Sequence, residues 1–209
     1  MSTCEPRAKE AWRERLLLAR AARSESDRRH DAERLRGAVS DLVRPGATVA
    51  AYMPMRAEPG DATLLDALRG NGVTVLLPMV REGRALSWGA YSGCSRMTSG
   101  PYGLREPDDR DGRPRGLRDA DLVLVPALAI DRRGVRLGRG AGYYDRALSA
   151  LRDREIPRVA VVHDDELLDE LPSESHDVRM THVITPLRGL LEIPVDTIPR
   201  FHVTVVSNP

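Results

Sequence analysis

Apolar and charged positions along the first forty residues follow the period of two amphipathic helices. Apolar side chains recur at helical spacing among charges from residue 7 to 22, and this pattern predicts the first helix. A serine at position 24 or 26 supplies an N-cap for a second helix. We expect that helix to run to about Val43, because a Pro-Gly dipeptide follows it.

Short apolar runs and helical patterns then alternate along the chain. Strands are predicted over residues 48–53 and 73–80, on either side of a helix over 62–69 that Asp61 caps. Such a strand–helix–strand unit implies parallel pairing. The next run, 85–91, follows a four-residue link. We expect it to pair antiparallel, because so short a link cannot make a crossover.

The second half of the chain contains a long irregular stretch, a buried strand and a glycine-rich loop. Residues 92–118 are rich in Gly, Pro, Arg and Asp and are too many for an ordinary connection, so they predict a binding loop. Residues 121–125 form an apolar strand, which favours burial on both faces. The glycine-rich loop, 134–142, leads into a helix over 143–152. The other predicted elements are a strand over 158–162, an acidic capped helix with a solvated face over 164–170, and short strands over 182–184 and 202–206.

The order of the elements predicts an α/β fold, a single domain over residues 1–209 in which a mixed, mostly parallel β-sheet is flanked by helices. Lys and Arg total 32 against 31 for Asp and Glu, so the net charge of +1 disfavours nucleic acid and anionic membranes as partners. The longest apolar run, Leu122–Ile130, is shorter than the roughly 20 residues that cross a bilayer. A charged first segment and only two cysteines predict a cytoplasmic protein without disulfides.

The glycine-rich loop carries the most informative chemistry. Gly138, Gly140 and Gly142 alternate along it, so the backbone can approach a ligand closely and direct its N–H groups at an anion. Arg139 lies between two of these glycines, and the context of strand, loop and helix also suits phosphate. The spacing matches neither the dinucleotide fingerprint nor the P-loop. It therefore predicts a nucleotide site of another kind, with a ligand-free flexible loop as the alternative.

The same stretch resembles the hallmark of the 5-formyltetrahydrofolate cyclo-ligase family, also called methenyltetrahydrofolate synthetases. In that family an apolar strand leads to Pro-Gly-Leu-Ala-Phe-Asp and then to Arg-Leu-Gly-Arg-Gly-x-Gly-Tyr-Tyr-Asp. Here Pro126–Asp131 reads Pro-Ala-Leu-Ala-Ile-Asp, so Ala127 and Ile130 replace the usual Gly and Phe. The second half, Arg136–Asp145, matches at every fixed position. The resemblance extends over residues 9–186.

The resemblance implies that ATP is a co-substrate. Lys9 and Arg13 look like the family's N-terminal pair that reaches ATP, and their i, i+4 spacing places both on one face of the first helix. Two solvated helix charges are the alternative. The implied ATP-binding residues are Lys9, Arg13, Arg136, Leu137, Gly138, Arg139, Gly140, Ala141, Gly142, Tyr143 and Tyr144.

The resemblance also implies a folate site. Tyr102 begins a Tyr-Gly-Leu-Arg-Glu-Pro segment that resembles the family's aromatic-Gly-Ile-x-Glu-Pro, whose aromatic ring stacks on the folate. The alternative for Tyr102 is a tyrosine that anchors a long loop. Met53 and Glu58 resemble substrate-contacting positions, and their alternatives are a methionine at the edge of the core and a surface glutamate. Arg139 and Tyr143 are the implied catalytic residues. The implied substrate-binding residues are Met53, Glu58, Tyr102, Arg139, Gly140, Ala141, Gly142 and Tyr143.

Two aspartates match the family's magnesium-associated positions. Asp145 follows the tyrosine pair and Asp177 lies in a Ser-His-Asp-Val segment. Magnesium in phosphoryl-transfer sites is held by one or two carboxylates together with substrate phosphates and water, so two aspartates suffice. The alternatives are a first-turn helix charge for Asp145 and a turn residue for Asp177. His163, just past a predicted strand, is expected to be structural rather than catalytic.

The reaction implied by the resemblance is the ATP- and magnesium-dependent conversion of 5-formyltetrahydrofolate, which can carry a polyglutamate tail, to 5,10-methenyltetrahydrofolate, ADP and phosphate. The formyl oxygen attacks the γ-phosphate, and N10 then attacks the formyl carbon. A small-molecule enzyme of this kind is expected to be a monomer or weak dimer. The alternative is a non-catalytic regulatory relative that binds folate or nucleotide, against which Arg139, Asp145 and Asp177 argue. An arginine-rich nucleic-acid binder lacks the charge excess.

Overall fold

Two helices begin the chain, as their apolar pattern predicts. The computed structural model describes residues 4–55, 57–108, 115–174 and 177–194, and in it helix α1 spans Cys4–Ala22 and helix α2 spans Glu25–Ser40. The Ser24 hydroxyl caps α2 by accepting the Asp27 N–H at 3.1 Å. Helix α2 ends at Ser40 rather than near residue 43, because the chain turns there before its Pro-Gly dipeptide.

The remaining helices and the strands follow in the predicted alternation. Helix α3 spans Ala62–Gly70 and helix α4 spans Tyr143–Ser149. The strands are β1 (Thr48–Ala50), β2 (Thr74–Arg81), β3 (Ala85–Ala90), β4 (Met97–Ser99), β5 (Arg105–Pro107), β6 (Leu122–Pro126), β7 (Ala129–Asp131), β8 (Arg136–Leu137), β9 (Arg158–Val161), β10 (Leu167–Leu168), β11 (His182–Thr185) and β12 (Gly189–Glu192).

Seven of these strands form one sheet in the order β12-β11-β9-β6-β1-β2-β3. The five central strands are parallel, and Val49 of β1 lies opposite Val75 of β2 and Leu122 of β6. The edge strands β3 and β12 are antiparallel to their neighbours. The predicted parallel unit, the antiparallel third strand and the mostly parallel α/β architecture are therefore confirmed.

Both faces of the sheet are covered, so β6 is apolar throughout. One face packs against α2 and α3 through Leu35 and Leu65, and the other packs against α4 through Leu148. Helix α1 lies apart, with Leu16 in a third cluster that includes Leu137 of β8. No helix in the described ranges has the length and apolar character needed to cross a bilayer.

The long stretch 92–118 contains more regular structure than a loop. Strands β4 and β5 form an antiparallel hairpin, and the Val80 N–H donates to Glu106 Oε1 at 2.7 Å, so the hairpin is tied to β2. The described part of the stretch leaves out residues 109–114. The strand predicted over 202–206 also lies outside the described residues.

The prediction of a solvated acidic helix over 164–170 is wrong. Asp164–Glu166 form one 3₁₀ turn, and β10 then pairs with β7, opposite Ile130. The Glu166 side chain is buried because Arg20 neutralises it. Three further segments differ in extent. Strand β1 ends at Ala50 rather than at residue 53, β8 lies inside the predicted loop 134–142, and α4 ends before residue 152.

His163 lies beside this turn, buried and 3.0 Å from Asp31 through its Nδ1. The pKa of His163 is lowered from 6.5 to about 4, mainly because the imidazole is buried. The charges of Arg23 and Arg20 lower this pKa further, whereas Asp31 raises it. The imidazole is therefore neutral in the folded protein near pH 7.

We expect the free energy of unfolding to fall as the pH is lowered from about 6.5 to 4, because the unfolded chain takes up the His163 proton over that range and the folded chain does not. Above pH 6.5 neutral His163 makes its full contribution to the free energy of unfolding. Urea unfolding of the wild type and of His163→Gln across this range measures it. The variant should show the flatter dependence, and equal slopes for the two proteins would contradict the assignment.

Candidate active site

A cavity of about 350 Å³ opens where the parallel strands β1, β2 and β6 end. This is the edge at which α/β sheets place their ligands. Helix α1 and the loop between β8 and α4 complete its walls. The predicted site residues that line it are Lys9, Arg13, Met53, Glu58, Arg136, Leu137, Gly138, Arg139, Gly140, Ala141, Gly142, Tyr143, Tyr144, Asp145 and Asp177.

The glycine loop holds Arg13 directly against its backbone. The Arg13 Nε donates to the Gly138 carbonyl oxygen at 3.0 Å. Gly140 has φ +97°, and a Cβ there would lie 3.3 Å from the Arg13 guanidinium carbon. A side chain at Gly140 would therefore be strained and would crowd Arg13. This geometry joins a cation of α1 to a loop of exposed backbone, which suits an anionic ligand.

Lys9, the other charged residue of α1 that was predicted to bind ATP, is held by two carboxylates. Its Nζ lies 2.9 Å from Glu174 Oε1 and 3.2 Å from Asp177 Oδ2. Burial acts against the charge of Lys9, but Glu174 and Asp177 outweigh it and hold its pKa above the ordinary value. The ammonium group therefore stays charged at the wall of the cavity.

Two arginines of the motif also face carboxylates of the same cavity. Arg136, a buried side chain of β8, donates through Nη2 to Asp145 Oδ1. Arg139 places its Nε 3.2 Å from Glu58 Oε1. Arg136 and Arg139, which were predicted to bind phosphate, thus form ion pairs with carboxylates of the protein. A phosphate that binds here would replace these carboxylates as the partner of each arginine.

A second wall of the cavity is aromatic and apolar. Tyr52 is buried and its hydroxyl donates to the Pro59 carbonyl oxygen at 2.7 Å. The Tyr144 ring packs edge-on against Trp88, with ring centroids 6.4 Å apart. Burial, followed by the nearby Glu58 charge, raises the pKa of both tyrosines, so both remain neutral.

Glu58 is the acidic group of this apolar wall. Its carboxylate is nearly buried, and Oε2 accepts the Met55 N–H at 3.0 Å. A carboxylate accepts hydrogen bonds from N–H donors, and such charge-assisted bonds are stronger than bonds between neutral groups. Met53 lines the same wall. The arrangement can hold a planar, polar ring against apolar side chains.

Tyr102 does not line the cavity but stands beside it at the rim. Its side chain is 77% exposed and its backbone φ is +58°, an uncommon value for a tyrosine. The neighbouring Tyr102 side chain raises the pKa of Tyr143. Tyr143 thus faces the rim while Tyr144 packs inward, since neighbouring helical residues diverge by about 100°.

Within the described ranges there is no group of three or more His, Cys, Asp or Glu that holds a metal by itself. Asp145 and Asp177 both line the cavity, each paired with a cation. A magnesium ion that arrives with phosphates needs only one or two carboxylates, because phosphate oxygens and water complete its shell. The two aspartates fit that role.

Several cavity residues escaped the sequence reasoning. Arg20 lies on the same face of α1 as Lys9 and Arg13, a spacing that could have revealed it, but with 31 arginines in the chain a single arginine is uninformative. Glu174, three residues before Asp177, donates its backbone N–H to Asp177 Oδ2 at 2.8 Å. The other unpredicted lining residues are Tyr52, Met55, Pro78, Val80, Leu86, Leu104, Arg105, Pro126, Ala127 and Leu128.

Comparison with known structures supports the fold. A 5,10-methenyltetrahydrofolate synthetase from Aquifex aeolicus superposes with a TM-score of 0.74 at 26% identity, over 93% of this chain and 97% of its own. The synthetase from Mycoplasma pneumoniae has a TM-score of 0.67 over 84% of this chain and 96% of its own, and at 21% identity it shows the fold alone.

Sequence comparison is more specific. The model of the 5-formyltetrahydrofolate cyclo-ligase family matches residues 5–186. A 5-formyltetrahydrofolate cyclo-ligase from Mycolicibacterium smegmatis is 47% identical over 194 residues, which cover 90% of this chain and 98% of the relative. The cyclo-ligase from Escherichia coli is 32% identical over 143 residues, covering 66% of this chain and 78% of the relative. The chain therefore belongs to the 5-formyltetrahydrofolate cyclo-ligase family.

Proposed function

We propose that the protein converts 5-formyltetrahydrofolate to 5,10-methenyltetrahydrofolate at the expense of ATP, which becomes ADP and phosphate, in the presence of magnesium. The observation that carries the proposal is the meeting of two chemically different walls in one cavity. Arg139 of the glycine loop contacts Glu58 of the apolar wall at 3.2 Å. A phosphate held by the loop and a ring held by the apolar wall would therefore be neighbours.

The nucleotide phosphates are assigned to the basic wall. Lys9, Arg13 and Arg136 supply fixed charges there, and the backbone N–H groups of residues 138–142 add hydrogen-bond donors. The displaced carboxylates Asp145 and Asp177 are then available to hold magnesium. When bound, magnesium supplies neutralisation of the phosphate charge.

The pterin ring is assigned to the apolar wall. Glu58 accepts hydrogen bonds from the N–H groups of the pterin ring. Met53 and the neutral Tyr144 contact the faces of that ring. Tyr102 and Tyr143 close the rim above it. This placement leaves the formyl group directed towards Arg139 and the γ-phosphate.

The reaction proceeds by phosphoryl transfer and ring closure. The formyl oxygen attacks the γ-phosphorus, and the bond from that phosphorus to the β–γ bridging oxygen breaks, releasing ADP. N10 then attacks the formyl carbon and loses its proton, while the carbon–oxygen bond breaks and phosphate leaves with the former formyl oxygen. No protein nucleophile is required. Arg139 stabilises charge on the transferring phosphoryl group, so catalysis consists of positioning and charge neutralisation.

The proposal is tested by mixing the purified protein with 5-formyltetrahydrofolate, ATP and magnesium and following the near-ultraviolet absorption of the methenyl product. We expect the band to appear only when ATP is present. No band from folded protein at high concentration would overturn the assignment. Folate binding without turnover would identify the alternative, a regulatory relative, and salt-dependent retention on DNA would point to a nucleic-acid binder.

Replacement of Tyr102 by alanine is expected to weaken folate binding by about 1–3 kcal/mol, by analogy with base–aromatic stacking, and to leave ATP affinity nearly constant. Its exposed ring offers a free face at the rim. Tyr102→Phe keeps the ring and is the matched control. Isothermal titration with each ligand measures both affinities. Equal losses for folate and ATP would show that Tyr102 supports its loop instead.

A further inference from the structure

A buried ion pair joins α1 to the floor of the cavity. Arg20 and Glu166 are only 1% and 2% exposed. The Arg20 Nε and Nη2 donate to the two Glu166 carboxylate oxygens at 2.6 and 2.8 Å. Arg20 Nη2 also donates to the Ala127 carbonyl oxygen at 2.5 Å, just beyond the end of β6. Arg20 and Ala127 both line the cavity.

Stability alone is a weak explanation for this pair. Moving two charges out of water carries a large desolvation cost, and apolar residues of similar volume often stabilise a core equally well. Other contacts already join the region around the start of α2 to the turn after β9. Arg23 forms an ion pair with Asp165, and the His163 ring contacts the Asp31 carboxylate. Arg20 is the member of this region that reaches the cavity.

Helix geometry connects Arg20 to the two cations at the other end of α1. At 3.6 residues per turn, Arg13 and Arg20 lie only about 40° and about 20° around the helix from Lys9. The three side chains therefore project along one stripe towards the same cavity. Lys9 and Arg13 meet partners that a ligand would displace, namely Glu174, Asp177 and the loop carbonyl of residue 138. Arg20 is the buried anchor of the stripe.

We propose that Arg20 and Glu166 are positioning residues that fix the rotation and height of α1, so that Lys9 and Arg13 meet the nucleotide phosphates. This inference rests on the proposed function, because it assumes that the glycine-loop wall takes a nucleotide. It assigns the pair to ATP affinity rather than to folate affinity or to the stability of the fold.

The test uses the double variant Arg20→Leu/Glu166→Gln. The leucine removes the buried charge. The glutamine keeps an oxygen that can accept the backbone N–H of His163, which in the wild type donates to Glu166 Oε2 at 2.8 Å. We expect a melting temperature close to that of the wild type. By isothermal titration with magnesium present, the Kd for ATP should rise about tenfold, because two phosphate ligands lose their fixed positions. The Kd for 5-formyltetrahydrofolate should stay within twofold of the wild-type value.

Arg158→Leu is the matched control. Arg158 is also a buried arginine, but it donates to backbone carbonyls such as that of Arg179 at 3.1 Å and does not line the cavity. Its loss should lower the melting temperature without changing the Kd for ATP. Arg20→Lys keeps a charge against Glu166 but loses the two-point contact. It should fold and show an intermediate Kd for ATP.

Wild-type ATP affinity in the folded double variant would overturn the proposal, and so would equal losses for ATP and folate. If the double variant does not fold, the Arg20→Lys variant provides the test. Wild-type ATP affinity in that variant would also overturn the proposal. Failure of the wild type to bind ATP would also overturn it. Absence of turnover by a wild type that still binds ATP would refute the proposed reaction alone, because this test is read from binding.

Discussion

Replacement of Arg139 by alanine is expected to reduce turnover about 10²–10³-fold, the typical effect of removing one strong donor to transition-state charge. The side chain is 47% exposed, and its ion pair is with Glu58 inside the cavity. The thermal stability of the variant should therefore remain close to that of the wild type.

Steady-state kinetics with both substrates measure the effect. If Arg139 acts mainly in the transition state, kcat and kcat/KM should fall together. Arg139→Lys should recover only part of the rate, because an ammonium group cannot make the two-point contact of a guanidinium. Arg132→Ala is a matched control, since Arg132 forms an exposed ion pair with Asp169 at 2.9 Å and does not line the cavity. Wild-type turnover by Arg139→Ala, or its unfolding, would show that the loop has been assigned wrongly.

The sequence predicted those parts of the fold in which local pattern and tertiary environment agree. Helix α1, the unit from β1 to β2, and β6 all carry a hydrophobic pattern that matches their burial. The acidic run after β9 failed the same reasoning. Glu166 is buried because a partner from α1 reaches it, and no local pattern reports a partner so distant in sequence.

The candidate site divides in the same way. The glycine loop was recognisable because alternating glycines follow directly from the need for close backbone approach. The contacts of Arg139 with Glu58 and of Lys9 with Glu174 depend on how distant segments meet, so spacing along the chain could not predict them. The same holds for Arg20, whose burial distinguishes it from the many exposed arginines.

The largest loss of stability is expected from Asp131→Ala, about 3–5 kcal/mol in the free energy of unfolding, because several N–H groups lose their acceptor at once. Asp131 is fully buried at the end of β7. Its carboxylate accepts the N–H groups of Arg133 and Val135 at 2.9 Å and that of Leu171 at 3.0 Å. The Arg133 guanidinium adds contacts at 3.2 Å. One carboxylate thus fixes the turn that leads into β8 and the glycine loop.

Urea unfolding followed by circular dichroism measures the difference. Asp131→Asn should lose less stability than Asp131→Ala, because the amide oxygen of asparagine still accepts some of these hydrogen bonds. It should not match the wild type, because the amide NH₂ group would face N–H donors. Asp153→Ala is the exposed control, since Asp153 pairs with Arg118 at 2.8 Å on the surface, where an ion pair contributes about 0–1 kcal/mol. A loss for Asp131→Ala no larger than that of the control would mean that the turn finds other acceptors. The glycine loop would then owe its position to β8 and Arg13 rather than to Asp131.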